Sequence, residues 1–302
     1  MKSFRFQLQP IDAALLLMTL IWGSNFTLVK LAVRDIPELP FNSLRLLIAS
    51  GLFLLALAVR EASWQLTGAE WRRIVELGIV GHFIYQLCFL GAVARTTVAN
   101  NSLIFAFTPI TVALLTAARG HERIPASRWI GALISLAGIY LVVGANGDAE
   151  GASRLGDLLS VGAVLCWTVY TVGAGSLLTR RSPLLVTGYS MTIGSILYLP
   201  VAWRGLGSLA WTDVRLGAWV ALLASASLAL FVAYVIWYTA VQKIGGSRTA
   251  VYSNVTPVVA MTVAAIWLGE PLTPAKLAGA AAVIAGVAIT KLERRMVPPV
   301  EA

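Results

Sequence analysis

The 302-residue sequence predicts an all-α membrane protein, with ten transmembrane helices forming two inverted five-helix repeats and both termini in the cytoplasm. Three observations lead there: composition, a series of span-length apolar runs, and an echo between the two halves. The chain is 58% hydrophobic and 12% charged, with a mean hydropathy of +0.79. A soluble chain carries about 45–50% apolar and about 25% charged residues. The polar residues here are too few to cover a core in water, so lipid is the natural solvent for most of the surface. Disorder is excluded on the same ground.

The elements follow in order along the chain. Lys2 and Arg5 precede a first run, 13–29, that is too long for a signal peptide core and ends at no A-x-A site. It is read as an uncleaved span. The second run, 39–59, is interrupted once, by Arg45. A polar stretch over 60–76, rich in Trp, Arg and Glu, is read as an interfacial connection. Runs at 77–94, 96–118 and 129–147 complete the first half. The second half offers 158–179, 182–203, 216–242, 249–269 and 271–290, the last interrupted by Lys276. A helix needs about 20 residues to cross about 30 Å of hydrocarbon, so each run is long enough to span.

The short connections set the orientation. With the N-terminus inside, the first half places eight Lys and Arg on the inner side and three on the outer. The second half places seven inside and four outside. Both halves therefore put both termini in the cytoplasm. The net charge of +9 is accounted for by this bias. With no basic stripe or binding motif, nucleic acid is not a partner. Cys88 and Cys166 lie inside apolar runs and read as small packing groups rather than a disulfide framework.

The halves, 1–147 and 148–302, resemble each other. A shift of 148 aligns Ala92-Val93 with Ala240-Val241, Arg95 with Lys243, Thr108-Pro109 with Thr256-Pro257, Glu122 with Glu270 and Gly131 with Gly279. A shift of 145 aligns Asp12 with Asp157 and Trp22 with Trp167. A shift of 143 aligns Pro40 with Pro183 and Gly51 with Gly194. Five spans per half is an odd number, so the second copy must enter the membrane from the opposite side. That arrangement is a signature of transporters with a midplane site.

Several segments carry a further resemblance: Trp22-Gly23-Ser24-Asn25-Phe26 with Lys30, Leu44-Arg45 with Ala49, and Asn101 to Pro109. Asn254-Val255-Thr256-Pro257 and Gly269-Glu270-Pro271-Leu272, followed by Gly279 and Gly286, add to it. On these the chain resembles the EamA-type, two-repeat branch of the drug/metabolite transporter superfamily over essentially its whole length. The resemblance implies export of amino acids, metabolites or drugs, and leaves the substrate open.

Nothing in the sequence points to an enzyme. G-x-S-x-G, H-E-x-x-H and P-loop patterns are missing, and His82 and His121 with two distant cysteines build no metal site. No cofactor or metal is expected. A transporter instead needs polar and aromatic side chains on inward helix faces. In the third span His82, Tyr85, Gln86 and Phe89 fall at i, i+3, i+4 and i+7. The eighth span answers with Tyr234, Trp237 and Tyr238. The first offers Trp22 and Asn25, matched by Trp167 and Tyr170 in the sixth. Asn101, Phe105 and Thr108 in the fourth are matched by Thr249, Ser253 and Thr256 in the ninth. Together these side chains predict a substrate-binding cavity about a pseudo-two-fold axis. Trp64, Trp71, Trp203 and Trp211 read instead as interfacial anchors.

Arg45 reads either as a contact for a substrate carboxylate or as a snorkelling cation. Pro109 and Pro257, mid-span and repeat-equivalent, each remove a helix hydrogen bond and predict kinks that gate alternating access. Gly131/Gly138 and Gly279/Gly286, each seven residues apart, suit close helix packing. No Asp or Glu lies mid-span, which argues against a cation/proton antiporter.

The reading is an exporter of amino acids, aromatic or bulky apolar ones favoured, or of similar small neutral metabolites. It would sit in a bacterial cytoplasmic membrane and run down the substrate gradient. Its partners are the small-molecule substrate and membrane lipid; a homodimer is compatible but not required. Three alternatives stand beside it: an anionic sugar-phosphate or nucleotide-type carrier using Lys30 and Arg45, a proton-coupled drug exporter using His82, and a non-transporting scaffold.

Overall fold

A computed structural model describes residues 9–60, 64–119, 130–141 apart from 132, 135 and 139, 153–250 and 252–292. Among the described residues there are helices and no strands. α1 is Pro10–Ala32, opened by a capping box in which Gln9 N donates to Asp12 at 2.9 Å. α2 is Glu38–Arg60 and α3 is Gly68–Arg95. α4, Val98–Ala118, is made of two pieces. The label α5 covers the described helical residues between 130 and 141. α6 (Arg154–Leu178), α7 (Pro183–Ser208), α8 (Leu216–Ile244), α9 (Tyr252–Leu268) and α10 (Pro274–Leu292) follow. Seven of these, α1 to α4 and α6 to α8, are long and apolar enough to cross a membrane, and α9 and α10 add shorter apolar helices. Much of the expected run at 129–147 lies outside the described residues.

Four details depart from the sequence reading, each for a local reason. The stretch expected as an interfacial connection is helical from Gly68 onward. Thr67 and Glu70 form a reciprocal capping box there, and Glu70 also pairs with Arg181 at 2.8 Å. Capping satisfies N–H groups that a helix start otherwise leaves bare, so a polar sequence can begin a helix. Next, α3 and α8 each contain a π-helical segment, Ile79–Ile84 and Ser225–Val232, at repeat-equivalent positions.

Third, Pro109 and Pro257 do not sit within continuous helices. Each lies in the first turn of a new one, Thr108–Ala118 and Thr256–Leu268. The chain before them is a turn at Ala106–Phe107 and a 3-10 segment at Tyr252–Val255. Proline lacks the N–H a helix interior needs but is at home in the first turn, where that N–H has no partner, so it sits at the start of the second piece rather than bending one rod. Last, among the described residues Pro200 is the proline found inside a helix, because α7 runs on to Ser208, past its apolar run.

Repeat-equivalent helices meet in antiparallel fashion. Along α2 and α7, a Cβ on Gly205 would lie 2.8 Å from Pro40, Ser50 Oγ meets Ser195 Oγ at 2.7 Å, and a Cβ on Gly188 would sit 3.2 Å from Phe53. At the other edge a Cβ on Gly138 would meet Gly279 O at 2.8 Å. Two of the glycines expected to suit close packing, Gly138 and Gly279, thus meet across α5 and α10. Trp64, Trp71, Trp203 and Trp211 are all exposed, as anchors would be.

Candidate functional site

Between α1, α2, α3, α4, α6, α8 and α9 the chain encloses a cavity whose volume open to the centre of a water molecule is about 60 Å³. Its wall is mainly aromatic. Trp22 and Trp167, repeat equivalents, meet edge to face with ring centroids 5.6 Å apart. A residue touching its own counterpart marks the local pseudo-two-fold axis. Trp237 lies 5.3 Å from Trp22 and 5.6 Å from Trp167. Tyr85 lies 5.3 Å and Tyr234 5.2 Å from Trp167. Phe26, Phe89 and Phe105 form a second group, mutually 5.6–5.8 Å apart. The edge-to-face pairs among these rings, Trp22 with Trp167 and Trp167 with Tyr234 among them, stabilise the wall beyond the apolar area they bury. The Trp22 indole is fixed by donating to Ala229 O, inside the π segment, at 3.0 Å.

One part of the wall is polar. Arg45 is 1% exposed, and its Nη2 donates to Gln86 Oε1 at 2.6 Å while Nη1 donates to Ser225 Oγ at 3.1 Å. Ser225 Oγ in turn donates to Asn25 Oδ1 at 2.6 Å. The guanidinium also lies 5.5 Å from the Phe89 ring and 5.9 Å from that of Phe41. No carboxylate among the described residues lines the cavity or pairs with Arg45. An unpaired cation at such depth is expensive, and such groups in membrane helices mark sites of function.

Of the side chains singled out from sequence, Trp22, Asn25, Arg45, Tyr85, Gln86, Phe89, Phe105, Thr108, Trp167, Tyr234, Trp237, Ser253 and Thr256 line the cavity. Five do not, the first being Tyr238, whose ring lies 5.2 Å from that of Tyr170. His82 and Tyr170 are joined behind the wall, His82 Nε2 to Tyr170 OH at 2.9 Å, and Tyr170 OH to Ser190 Oγ at 2.9 Å. Ser190 gives its own proton to Val186 O at 2.7 Å, so Tyr170 donates to Ser190 and accepts from His82. Asn101 accepts from Ser160 Oγ at 3.2 Å, and Thr249 turns back to Gly245 O at 3.0 Å. Lys30 donates to Thr96 O and is not part of the wall either.

Phe26, Ser102, Ala229 and Leu230 line the cavity without having been singled out. Phe26 stands four residues after Trp22 and could have been found by helical spacing. Ala229 and Leu230 face inward through the π segment, which has no sequence signal. An apolar groove between α1 and α8, lined by Leu20, Leu28, Ala224 and Leu228 among others, shares Asn25 and Ala229 with the cavity.

Comparison with known proteins gives a consistent result. The model of the EamA-like transporter family matches residues 9–144 and again 154–292. An uncharacterized transporter of Archaeoglobus fulgidus is 30% identical over 93% of this chain and 98% of its own. The uncharacterized transporter YetK of Bacillus subtilis is 26% identical over 91% of this chain and 84% of its own. A probable terminal-alkyne amino-acid exporter of Streptantibioticus cattleyicolor is 27% identical over 91% of each chain. One solved structure, 20% identical, superposes with a TM-score of 0.70 over 95% of this chain and 99% of its own, and shows the same fold.

Proposed function

Because the chain belongs to the EamA-like transporter family, we propose that the aromatic cavity is its transport site and that it exports amino acids with aromatic or bulky apolar side chains. The observation that carries this reading is the wall itself. Trp22, Tyr85, Trp167, Tyr234 and Trp237 line a space that also holds one buried cation, Arg45, with its amide neighbours Gln86 and Asn25, the combination an amphipathic solute with one charged group requires. The name of the Streptantibioticus relative, a probable terminal-alkyne amino-acid exporter, supports an amino-acid substrate.

The working architecture is ten membrane helices in two inverted units, 1–147 and 148–302, with both termini cytoplasmic. The antiparallel contact between the repeat equivalents α2 and α7 supports inversion, since copies related by an axis along the membrane normal would run parallel. A cavity of about 60 Å³ is far below the roughly 300 Å³ of a small ligand pocket, so loading a solute requires the two units to part. The breaks before Pro109 and Pro257 lie beside the cavity, through Thr108 and Thr256, and supply joints for that movement. The chain works as a gradient-driven facilitator in a bacterial cytoplasmic membrane, without cofactor.

A phosphate-bearing metabolite would call for a second cation in the wall. Lys30 is engaged elsewhere, which favours a substrate with a single anionic group. The test is efflux of labelled phenylalanine from proteoliposomes. Trp167→Ala and Tyr85→Ala are expected to cut transport at least tenfold while the proteins remain monodisperse. Wild-type rates in both would remove the cavity assignment.

A further inference from the structure

We infer that the polar side of the cavity is a carboxylate-selective site centred on Arg45, built so that the groups left facing the solute are hydrogen-bond donors. The inference rests on the cavity being the transport site and narrows which solutes it accepts.

The direction of each hydrogen bond fixes the argument. An arginine has only donors. Gln86 must therefore turn its Oε1 toward Nη2 of Arg45, which leaves its Nε2 hydrogens over, and Nε2 has no partner among the described residues. Ser225 accepts from Nη1, so its single proton goes to Asn25, whose contacting atom must be Oδ1. Asn25 is then left with its Nδ2 hydrogens to offer. Both short relays that start at the guanidinium end in an amide NH₂, and Asn25 and Gln86 both line the cavity. Arg45 Nε likewise has no partner among the described residues. A cation whose two amide neighbours have spent their oxygens and keep only NH₂ groups to offer suits an oxyanion and repels an ammonium group.

The depth agrees. Arg45 and Asn25 each lie seven residues from a helix end, and Gln86 and Ser225 nine, which is about 10–14 Å of helix. That depth lies below the interface, so the site is beyond the reach of a lipid headgroup. It is also one-sided. The repeat-equivalent positions of Arg45, Asn25 and Gln86 are Gly188, Tyr170 and Tyr234, so the other half offers no second anion site. The aromatic faces opposite would take the apolar body, and an ammonium on the same solute can lie against them.

The test uses the full-length protein in nanodiscs and three probes of one shape: L-phenylalanine, L-phenylalaninamide and phenethylamine. Wild type is expected to bind phenylalanine at least tenfold tighter than the other two. Gln86→Glu places an internal carboxylate against Arg45 with little change of shape. It should lose phenylalanine binding at least tenfold and bind phenethylamine as well as wild type or better, whereas Gln86→Met, which leaves Arg45 free, should retain the preference for the carboxylate. Equal binding of the three probes by wild type, or phenylalanine binding unchanged in Gln86→Glu, overturns the carboxylate site and leaves the transport cavity standing. Binding of none of the three overturns the transport cavity together with its carboxylate site.

Discussion

At the scale of single residues, His82 and Tyr170 separate a position in the sequence from a role in the site. Both sit on the stripes that face the cavity, yet they close a buried chain with Ser190 behind it. Tyr170→Phe removes one hydroxyl, and with it the acceptor of His82 and the donor to Ser190. Leaving a buried donor unsatisfied costs about 1–3 kcal/mol. The expected result is a lower melting temperature with an unchanged KM for transport in the protein that remains folded. A KM raised severalfold with unchanged melting would instead place Tyr170 against the solute. Why the sequence misplaced His82 is also physical. It lies inside the π segment Ile79–Ile84, where the i→i+5 pattern adds a residue to the turn. The 3.6-residue stripe from His82 to Phe89 is therefore not straight. Tyr85, Gln86 and Phe89, beyond the segment, line the cavity, and His82 drops out of line. Arg45 was visible as the one charge inside its run, but its relay through Ser225 joins residues 180 and 200 positions apart and leaves no local trace.

At the scale of elements, composition and run length were enough to place most helices, because a lipid-facing helix announces itself by the lack of charge. What they missed were the interruptions. The extension of α3 back to Gly68 depends on a cap, and the breaks in α4 and before α9 depend on which side of the break a proline falls. Helix contacts give a sharp prediction from two repeat-equivalent glycines. A Cβ on Gly194 would lie 2.3 Å from the His82 Cβ and 2.9 Å from its carbonyl carbon, contacts no rotamer change can relieve. A Cβ on Gly51 would meet nothing within 4 Å. Gly194→Ala is therefore expected to destabilise by about 1–3 kcal/mol as α3 and α7 are forced apart. Gly51→Ala should be neutral or stabilising, since alanine is the better helix former. Thermal melts of the two variants in one detergent make the comparison, and equal shifts would contradict the close approach of α3 to α7 at Gly194.

For the whole molecule, orientation decides whether the cavity can serve both sides of a membrane. In the proposed orientation, drawn from the excess of Lys and Arg in alternate connections, the start of α3 lies in the cytoplasm and the end of α7 outside, although both helices belong to one packed body. Gly68 and Gly207 stand at these two ends, and a side chain at either would meet no neighbour within 4 Å, so a thiol can be added without disturbing the fold. With Cys88 and Cys166 replaced by alanine, the Gly207→Cys variant should react with a membrane-impermeant maleimide in intact cells. The Gly68→Cys variant should react only after the cells are opened. The opposite pattern would invert the whole chain. Arg45, Asn25, Gln86 and Ser225 would then lie toward the cytoplasmic face, and the carboxylate would be gripped on entry rather than near the exit. Labelling of both variants in intact cells would put an even number of crossings between the two ends, and the two units could not then be inverted copies of five spans each.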